Sequence, residues 1–264
     1  MNRIDRLFRV LQEKDKTALM PFLVAGDPTL AHTRDLILTL EQAGADMIEL
    51  GVPFSDPIAD GPTIQAAGQR ALASGVTLRE VLGIVKDLRK DVRFPIVLMS
   101  YYNLLYQYPI EDFAAQAAEV GIDGVIIPDL PPEEAGPWRR VARPAGLHTV
   151  FLVTPTTPLD RVKKIDSLSK GFLYYVSVTG VTGAREELPR DLTLALDRTR
   201  TQVRHPLAVG FGIGTAAQVA ALAPHADGII VGSALVKVIE QHQNSSRLIE
   251  EVRSFVQGLK EPLL

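Results

Sequence analysis

The chain of 264 residues contains no cysteine. That excludes disulfides, thiolate nucleophiles and thiolate-ligated metals, and it fits a reducing compartment. No apolar run reaches the roughly 18 residues that suggest a membrane span. The opening Met1–Arg6 lacks the apolar core of a signal peptide, so the cytoplasm is the expected location. No block of like charge stands out: 28 Lys and Arg face 31 Asp and Glu, for a net charge of −3. Nothing in that balance favours nucleic acid or an anionic membrane as a partner. The five histidines, His32, His148, His205, His225 and His242, form no His-x-His or His-Glu-x-x-His pair, so no metal site is expected.

What is present is a repeated pair: a short apolar, β-branched run, then a longer amphipathic segment. Eight such runs occur, at 18–25, 47–52, 95–100, 124–128, 149–154, 172–178, 207–211 and 228–231. Continuous apolar runs suit parallel strands covered on both faces. Helical spacing of apolar residues is visible at 30–43, 78–90, 159–168 and 216–223, with an extra helix at 4–11 and a closing helix at 245–259. Thr77, with Glu80 three residues later, forms a capping-box pattern. No linker divides the sequence, which predicts one (β/α)8-barrel domain over residues 1–264. The competing arrangement is an open doubly wound sheet. Against it stand the strand count and the lack of a Gly-x-Gly-x-x-Gly after the first run.

In a barrel, chemistry sits where strands end and the following loops begin. Alternation along the second run turns Met47, Glu49 and Gly51 inward and Ile48 and Leu50 toward the helices. A buried carboxylate needs a task or a partner, and desolvation raises its pKa toward the range of a neutral-pH acid or base. A structural Glu paired to a neighbouring strand is the alternative. The loop 53–62 holds three prolines and two acids, Asp56 and Asp60, each readable as a functional carboxylate or as a turn former. Three late loops are glycine-rich: Gly180–Gly183, Gly210–Gly214, and Gly232-Ser233 opening a helix. Such loops bring backbone N–H groups close to a phosphate. No lysine lies in the eight runs, so a Schiff-base nucleophile is not evident. The tyrosine-rich stretch 101–109 reads equally as an interface or as packing over the barrel end, and Trp138 as helix packing.

The run from Glu49 to Pro62 closely resembles the signature of the tryptophan synthase alpha-subunit family. The similarity continues through Met20-Pro21-Phe22, Gly26-Asp27-Pro28, Pro128-Asp129-Leu130-Pro131, Gly180–Gly183, Gly210–Gly212 and Gly232-Ser233. The resemblance implies retro-aldol cleavage of indole-3-glycerol phosphate to indole and glyceraldehyde 3-phosphate. It implies Glu49 as general acid/base and Asp60 at the indole nitrogen. Gly183, Gly212, Gly232 and Ser233 match the phosphate loops, and Phe22, Tyr174, Thr182 and Phe211 match positions near the substrate or the closing loop. It implies no cofactor in this chain, and a beta subunit carrying pyridoxal phosphate as partner in an α2β2 assembly. Asp56, Pro57, Asn103, Asp129 and Pro131 match the face toward that partner. The run Ser177-Val178-Thr179 departs from members with Arg after the Ser, which bears on how this loop closes. A stand-alone lyase that releases indole, a sugar-phosphate isomerase or epimerase, and a regulatory barrel that binds without turnover are the other readings.

Glu49→Gln keeps the shape but removes proton transfer. Indole formation by this variant is expected to fall by about 10²–10⁴-fold, the usual contribution of a positioned acid or base, while substrate binding survives. Single-turnover indole release measured beside equilibrium binding checks both halves.

Overall fold

The computed structural model describes residues 1–177, 191–210 and 212–264. Helix α1 (Arg3–Glu13) precedes strand β1 (Ala18–Val24). There follow α2 (Leu30–Gln42), β2 (Ile48–Gly51), α3 (Pro62–Ala73), α4 (Leu78–Leu88), β3 (Ile96–Met99), α5 (Tyr102–Tyr106), α6 (Ile110–Val120), β4 (Gly124–Ile126) and α7 (Gly136–Ala142). The second half runs through β5 (His148–Val150), β6 (Leu152–Val153), α8 (Leu159–Leu168), β7 (Leu173–Val176), α9 (Leu192–Arg200), β8 (Leu207–Gly210), α10 (Ala216–Leu222), β9 (Gly228–Val231), α11 (Ser233–His242) and α12 (Leu248–Lys260).

The strands pair in parallel in the order β5-β4-β3-β2-β1-β9-β8-β7-β6. The two ends of that row, β5 and β6, are separated in the chain by Phe151 alone. Tyr174 N–H donates to the Phe151 carbonyl at 3.0 Å. The row therefore bends round on itself, and the apolar run 149–154 is one barrel strand interrupted at a single residue. The expected (β/α)8 barrel is the observed architecture.

Two packed layers follow from strand alternation. Ile48, Leu50, Leu98 and Val209 point outward into a core shared with the helices. Met20, Met47, Val97, Phe172 and Ala208 point inward, where Ile4, Phe8 and Leu11 of α1 join them. The extra N-terminal helix thus forms the barrel floor. Asn2 starts it, accepting from Ile4 N–H at 2.9 Å and donating to the Asp123 and Gly146 carbonyls at 2.8 and 3.0 Å.

Several strand beginnings share one device: an Asp side chain takes an N–H of the neighbouring strand. Asp46 accepts from Leu19 at 2.7 Å, Asp123 from Ile96 at 2.9 Å and Asp227 from Leu207 at 2.8 Å. These acids occupy donors that would otherwise be left unpaired at the rim. The capping box expected at Thr77 and Glu80 is present.

Helix α3 is absent from the sequence expectations. Its buried face is Ala67, Gly68 and Ala71, too small to register as apolar periodicity. Arg70 in its last turn holds Asp27 through Nε at 2.7 Å and Nη2 at 2.9 Å, and Glu240 of α11 through Nη1 at 2.8 Å. That bidentate grip ties the loop after β1, α3 and α11 together.

Phe8 of α1 is buried and its ring lies 5.9 Å from that of Phe172. Phe8→Ala leaves a cavity in the floor and is expected to cost about 3–5 kcal/mol. Urea unfolding of the variant beside the parent measures it.

Candidate active site

Glu49 lies on β2, facing inward at the level of Phe22 on β1 and Val97 on β3. It is 2% exposed, and among the described residues its Oε2 has no hydrogen-bond partner. Burial, with the nearby Asp60 charge adding to it, pushes the Glu49 pKa up from 4.5 to about 8.

Asp60 ends the loop that follows β2, two residues before α3. Gly61 and Pro62 start that helix, with Pro at its first turn. Burial raises the Asp60 pKa from 3.8 to about 6, while a hydrogen bond from the Tyr101 hydroxyl pulls it down. The same hydroxyl accepts from Ala59 N–H at 3.1 Å, and the Tyr101 ring stacks on Phe54 with centroids 5.1 Å apart. Tyr101 therefore fastens the acidic loop to the end of β3. Sequence reasoning left it within an aromatic stretch, because the contact joins residues some forty positions apart. Asp56, the other acid of the loop, is exposed.

Phe22, Glu49, Asp60, Tyr174, Gly212, Gly232 and Ser233 line one pocket at the end of the barrel where the strands finish. Met99, Ile126, Leu152 and Ile230 give it apolar walls that the sequence reading did not single out. Burial, then the charges of Glu49 and Asp60, hold the Tyr174 hydroxyl pKa well above its usual value, so it stays protonated. Val178, Thr182, Gly183 and Phe211 lie outside the described residues.

The glycines divide by role. Gly232 precedes α11, whose first N–H groups open toward the pocket end, and no side chain caps them. A Cβ at Gly232 would meet Phe22 at 3.6 Å, an ordinary contact, so its lack of side chain leaves pocket space rather than relieving a clash. Gly212 has φ 77° and also lines the pocket. Gly210 and Gly214 serve packing: a Cβ would strike the Tyr174 hydroxyl at the first and lie 2.6 Å from the Ala234 Cβ at the second. Of the three glycines in the 210–214 run, Gly212 is the one that lines the pocket.

Asp56, Pro57, Asn103, Asp129 and Pro131 lie in loops or short helices after β2, β3 and β4, on the pocket end of the barrel. Asp129 accepts from Tyr102 N–H at 2.8 Å, joining two of these loops. Beside them Ile58 and Tyr106 are 76% and 70% exposed, an apolar contribution to this end that sequence reasoning missed. Trp138 is fully buried against Phe113, as helix packing requires, and its indole N–H reaches Thr149 Oγ1 at 3.1 Å. No described helix is long and apolar enough to cross a membrane.

The family profile described as tryptophan synthase alpha chain matches residues 8–263. The chain belongs to the tryptophan synthase alpha chain family. It is 48% identical over 260 residues to the tryptophan synthase alpha chain of Geotalea daltonii, covering 98% of each sequence. Among solved structures, tryptophan synthase subunit alpha from Legionella pneumophila superposes with a TM-score of 0.92 at 38% identity, covering 100% of this chain and 98% of that one. A chain of the tryptophan synthase complex from Pyrococcus furiosus superposes with a TM-score of 0.87 at 41% identity, covering 93% and 98%. Membership makes this chain a carbon–carbon lyase of tryptophan biosynthesis.

Two carboxyl groups with pKa near 6 and 8 predict a bell-shaped dependence of kcat/KM on pH, rising as Asp60 ionises and falling as Glu49 loses its proton. Tyr101→Phe removes the hydrogen bond that lowers the Asp60 pKa, so the acidic limb should move to higher pH. A pH profile of the variant in which that limb stays put would contradict the assignment.

Proposed function

We propose that this chain cleaves indole-3-glycerol phosphate to indole and glyceraldehyde 3-phosphate, with Glu49 as general acid/base and Asp60 at the indole nitrogen. The observation that carries the reading is the buried Glu49 carboxyl, whose Oε2 has no hydrogen-bond partner among the described residues and whose pKa is raised to about 8, sharing an apolar pocket with a second, ionisable carboxylate and the open start of α11.

Near neutral pH Glu49 holds its proton and can deliver it to ring carbon 3 of the substrate. The positive charge that develops on the ring N–H is stabilised by the Asp60 carboxylate, kept ionised by Tyr101. Glu49, now a carboxylate, takes the proton of the side-chain hydroxyl on the carbon attached to the ring. As that O–H electron pair forms the aldehyde carbonyl, the carbon–carbon bond breaks and its electrons return to the ring. Indole leaves neutral with the delivered proton on carbon 3, and Glu49 ends protonated by the hydroxyl's proton. The ring is its own electron sink, so the step needs no lysine.

The phosphate takes no part in bond breaking. It anchors the substrate at Gly212, Gly232 and Ser233, where the N–H groups of α11 offer partial positive charge. By their match to the family, Gly183 serves the same anion, and Thr182 and Phe211 stand near the substrate. Phe22 and Tyr174 form the wall against the ring. We assign the whole of 1–264 to one barrel domain in the cytoplasm. The face around Asp56, Pro57, Asn103, Asp129 and Pro131, with the exposed Ile58 and Tyr106, is assigned to a beta subunit in an α2β2 assembly, and pyridoxal phosphate to that subunit alone. Exposed apolar side chains on one rim fit a lasting interface better than free solvent.

Purified chain incubated with indole-3-glycerol phosphate, with and without a beta subunit, tests the reading. Free indole supports it, and full activity in the chain alone selects the stand-alone lyase instead. Turnover of another sugar phosphate, or binding with no turnover, overturns it. Gly232→Asp places a carboxylate beside the anion and should raise KM by on the order of tenfold to a hundredfold, each tenfold being about 1.4 kcal/mol. Steady-state kinetics showing unchanged saturation would remove the phosphate from this end of the pocket.

A further inference from the structure

The opposite end of the barrel carries a second concavity. There α1 borders an open cleft of about 780 Å³, walled by α1, α7 and the segments before β5 and β7. Five cationic side chains line it: Arg3, Arg6, Arg139, Arg143 and Lys170. Only two carboxylates share it, Asp5 and Asp123. Both are engaged: Asp123 holds Arg3 at 2.9 Å and Arg89 at 2.8 Å, and Asp5 faces His148 at 2.8 Å. Arg6, Arg139, Arg143 and Lys170 have no side-chain hydrogen bond or ion pair among the described residues.

This gathering stands out in a chain of net charge −3. Arg139 and Arg143 lie four residues apart at the end of α7, a spacing at which like charges repel. The helix dipole accounts for basic residues in a last turn. It does not account for Arg6 arriving from α1 or Lys170 from the segment before β7. Charges of one sign in a concave site reinforce one another's field and draw in the opposite ion. Guanidinium forks match the geometry of phosphate oxygens. Linked phosphoryl groups offer several anionic centres to four cations drawn from three segments, where a single phosphoryl group offers one.

We propose that this cleft binds an oligophosphate anion, of pyrophosphate or nucleotide-polyphosphate class, through Arg6, Arg139, Arg143 and Lys170. An occupant would tie α1 to α7. Because Ile4 and Phe8 on the other side of α1 complete the barrel interior, it would also steady the floor. The site is separate from the active pocket and does not depend on the reaction proposed there.

The test uses inorganic pyrophosphate and the full chain, by titration calorimetry at about 0.1 M ionic strength, where the Debye length is about 10 Å. Three proteins are compared: the parent, Arg139→Ala/Arg143→Ala, and Gly232→Asp, which blocks the phosphate end of the active pocket. The expected result is saturable one-to-one binding to the parent and to Gly232→Asp. Binding at least about tenfold weaker is expected in the double variant, whose thermal midpoint without pyrophosphate and whose turnover stay those of the parent. Arg6→Ala/Lys170→Ala should weaken binding in the same way, which keeps the test open should the first pair fold poorly. No saturable binding to the parent overturns the proposal. So does binding that Gly232→Asp abolishes and both double variants retain, since that places pyrophosphate in the active pocket.

Discussion

The structure is organised around a carboxyl group buried where no charge is comfortable. Glu49 sits in an apolar barrel mouth with a second acid close by, and its pKa rises from 4.5 to about 8. At about 1.4 kcal/mol for each tenfold change in proton affinity, that rise corresponds to on the order of 5 kcal/mol. Below about pH 4.5 the group is neutral whether folded or unfolded, and nothing is lost. Between there and pH 8 the unfolded chain gives up its proton first, so stability falls as pH rises. Above pH 8 the penalty is complete. A protonated acid near neutral pH is what the proposed cleavage would use.

Neighbouring elements brace the pocket around that acid. The α1 helix closes the floor with Ile4, Phe8 and Leu11, so the barrel interior is packed from below. Tyr101 fixes the loop that brings the second acid, and its hydrogen bond favours the ionised form of Asp60 against the larger effect of burial. Arg70 sits at the far end of α3 and links it to α11 through Asp27 and Glu240. One side chain thereby relates the helix following Asp60 to α11, whose start borders the pocket.

The barrel also separates its tasks by end. Strand termini carry the pocket and the exposed Ile58 and Tyr106, while strand beginnings carry the aspartates that satisfy rim N–H groups. Chemistry and the proposed partner face lie on one end, and the floor and the basic cleft on the other. A ligand on the cleft can therefore act on α1 without touching the pocket at the other end.

Strand alternation made the inward direction of Glu49 readable from its neighbours Ile48 and Leu50, and apolar runs made the barrel readable, because both are local properties of the chain. Small-residue helices such as α3 escaped, since Ala67, Gly68 and Ala71 carry too little apolar surface to show a period. The Glu49–Pro62 run pointed to both acids and to the family, but not to the distinct pKa values of Glu49 and Asp60. The division of the 210–214 glycines into one pocket residue and two that make room for Tyr174 and Ala234 needed the packed structure. So did the bond from Tyr101 to the acidic loop, the Arg70 brace and the gathering of Arg6, Arg139, Arg143 and Lys170 in one cleft. Sequence alone decided periodicity, charge and motif, which act between near neighbours. Tertiary structure decided which distant side chains share a low-dielectric space, because desolvation and hydrogen bonding depend on what surrounds a group and not on its position in the chain.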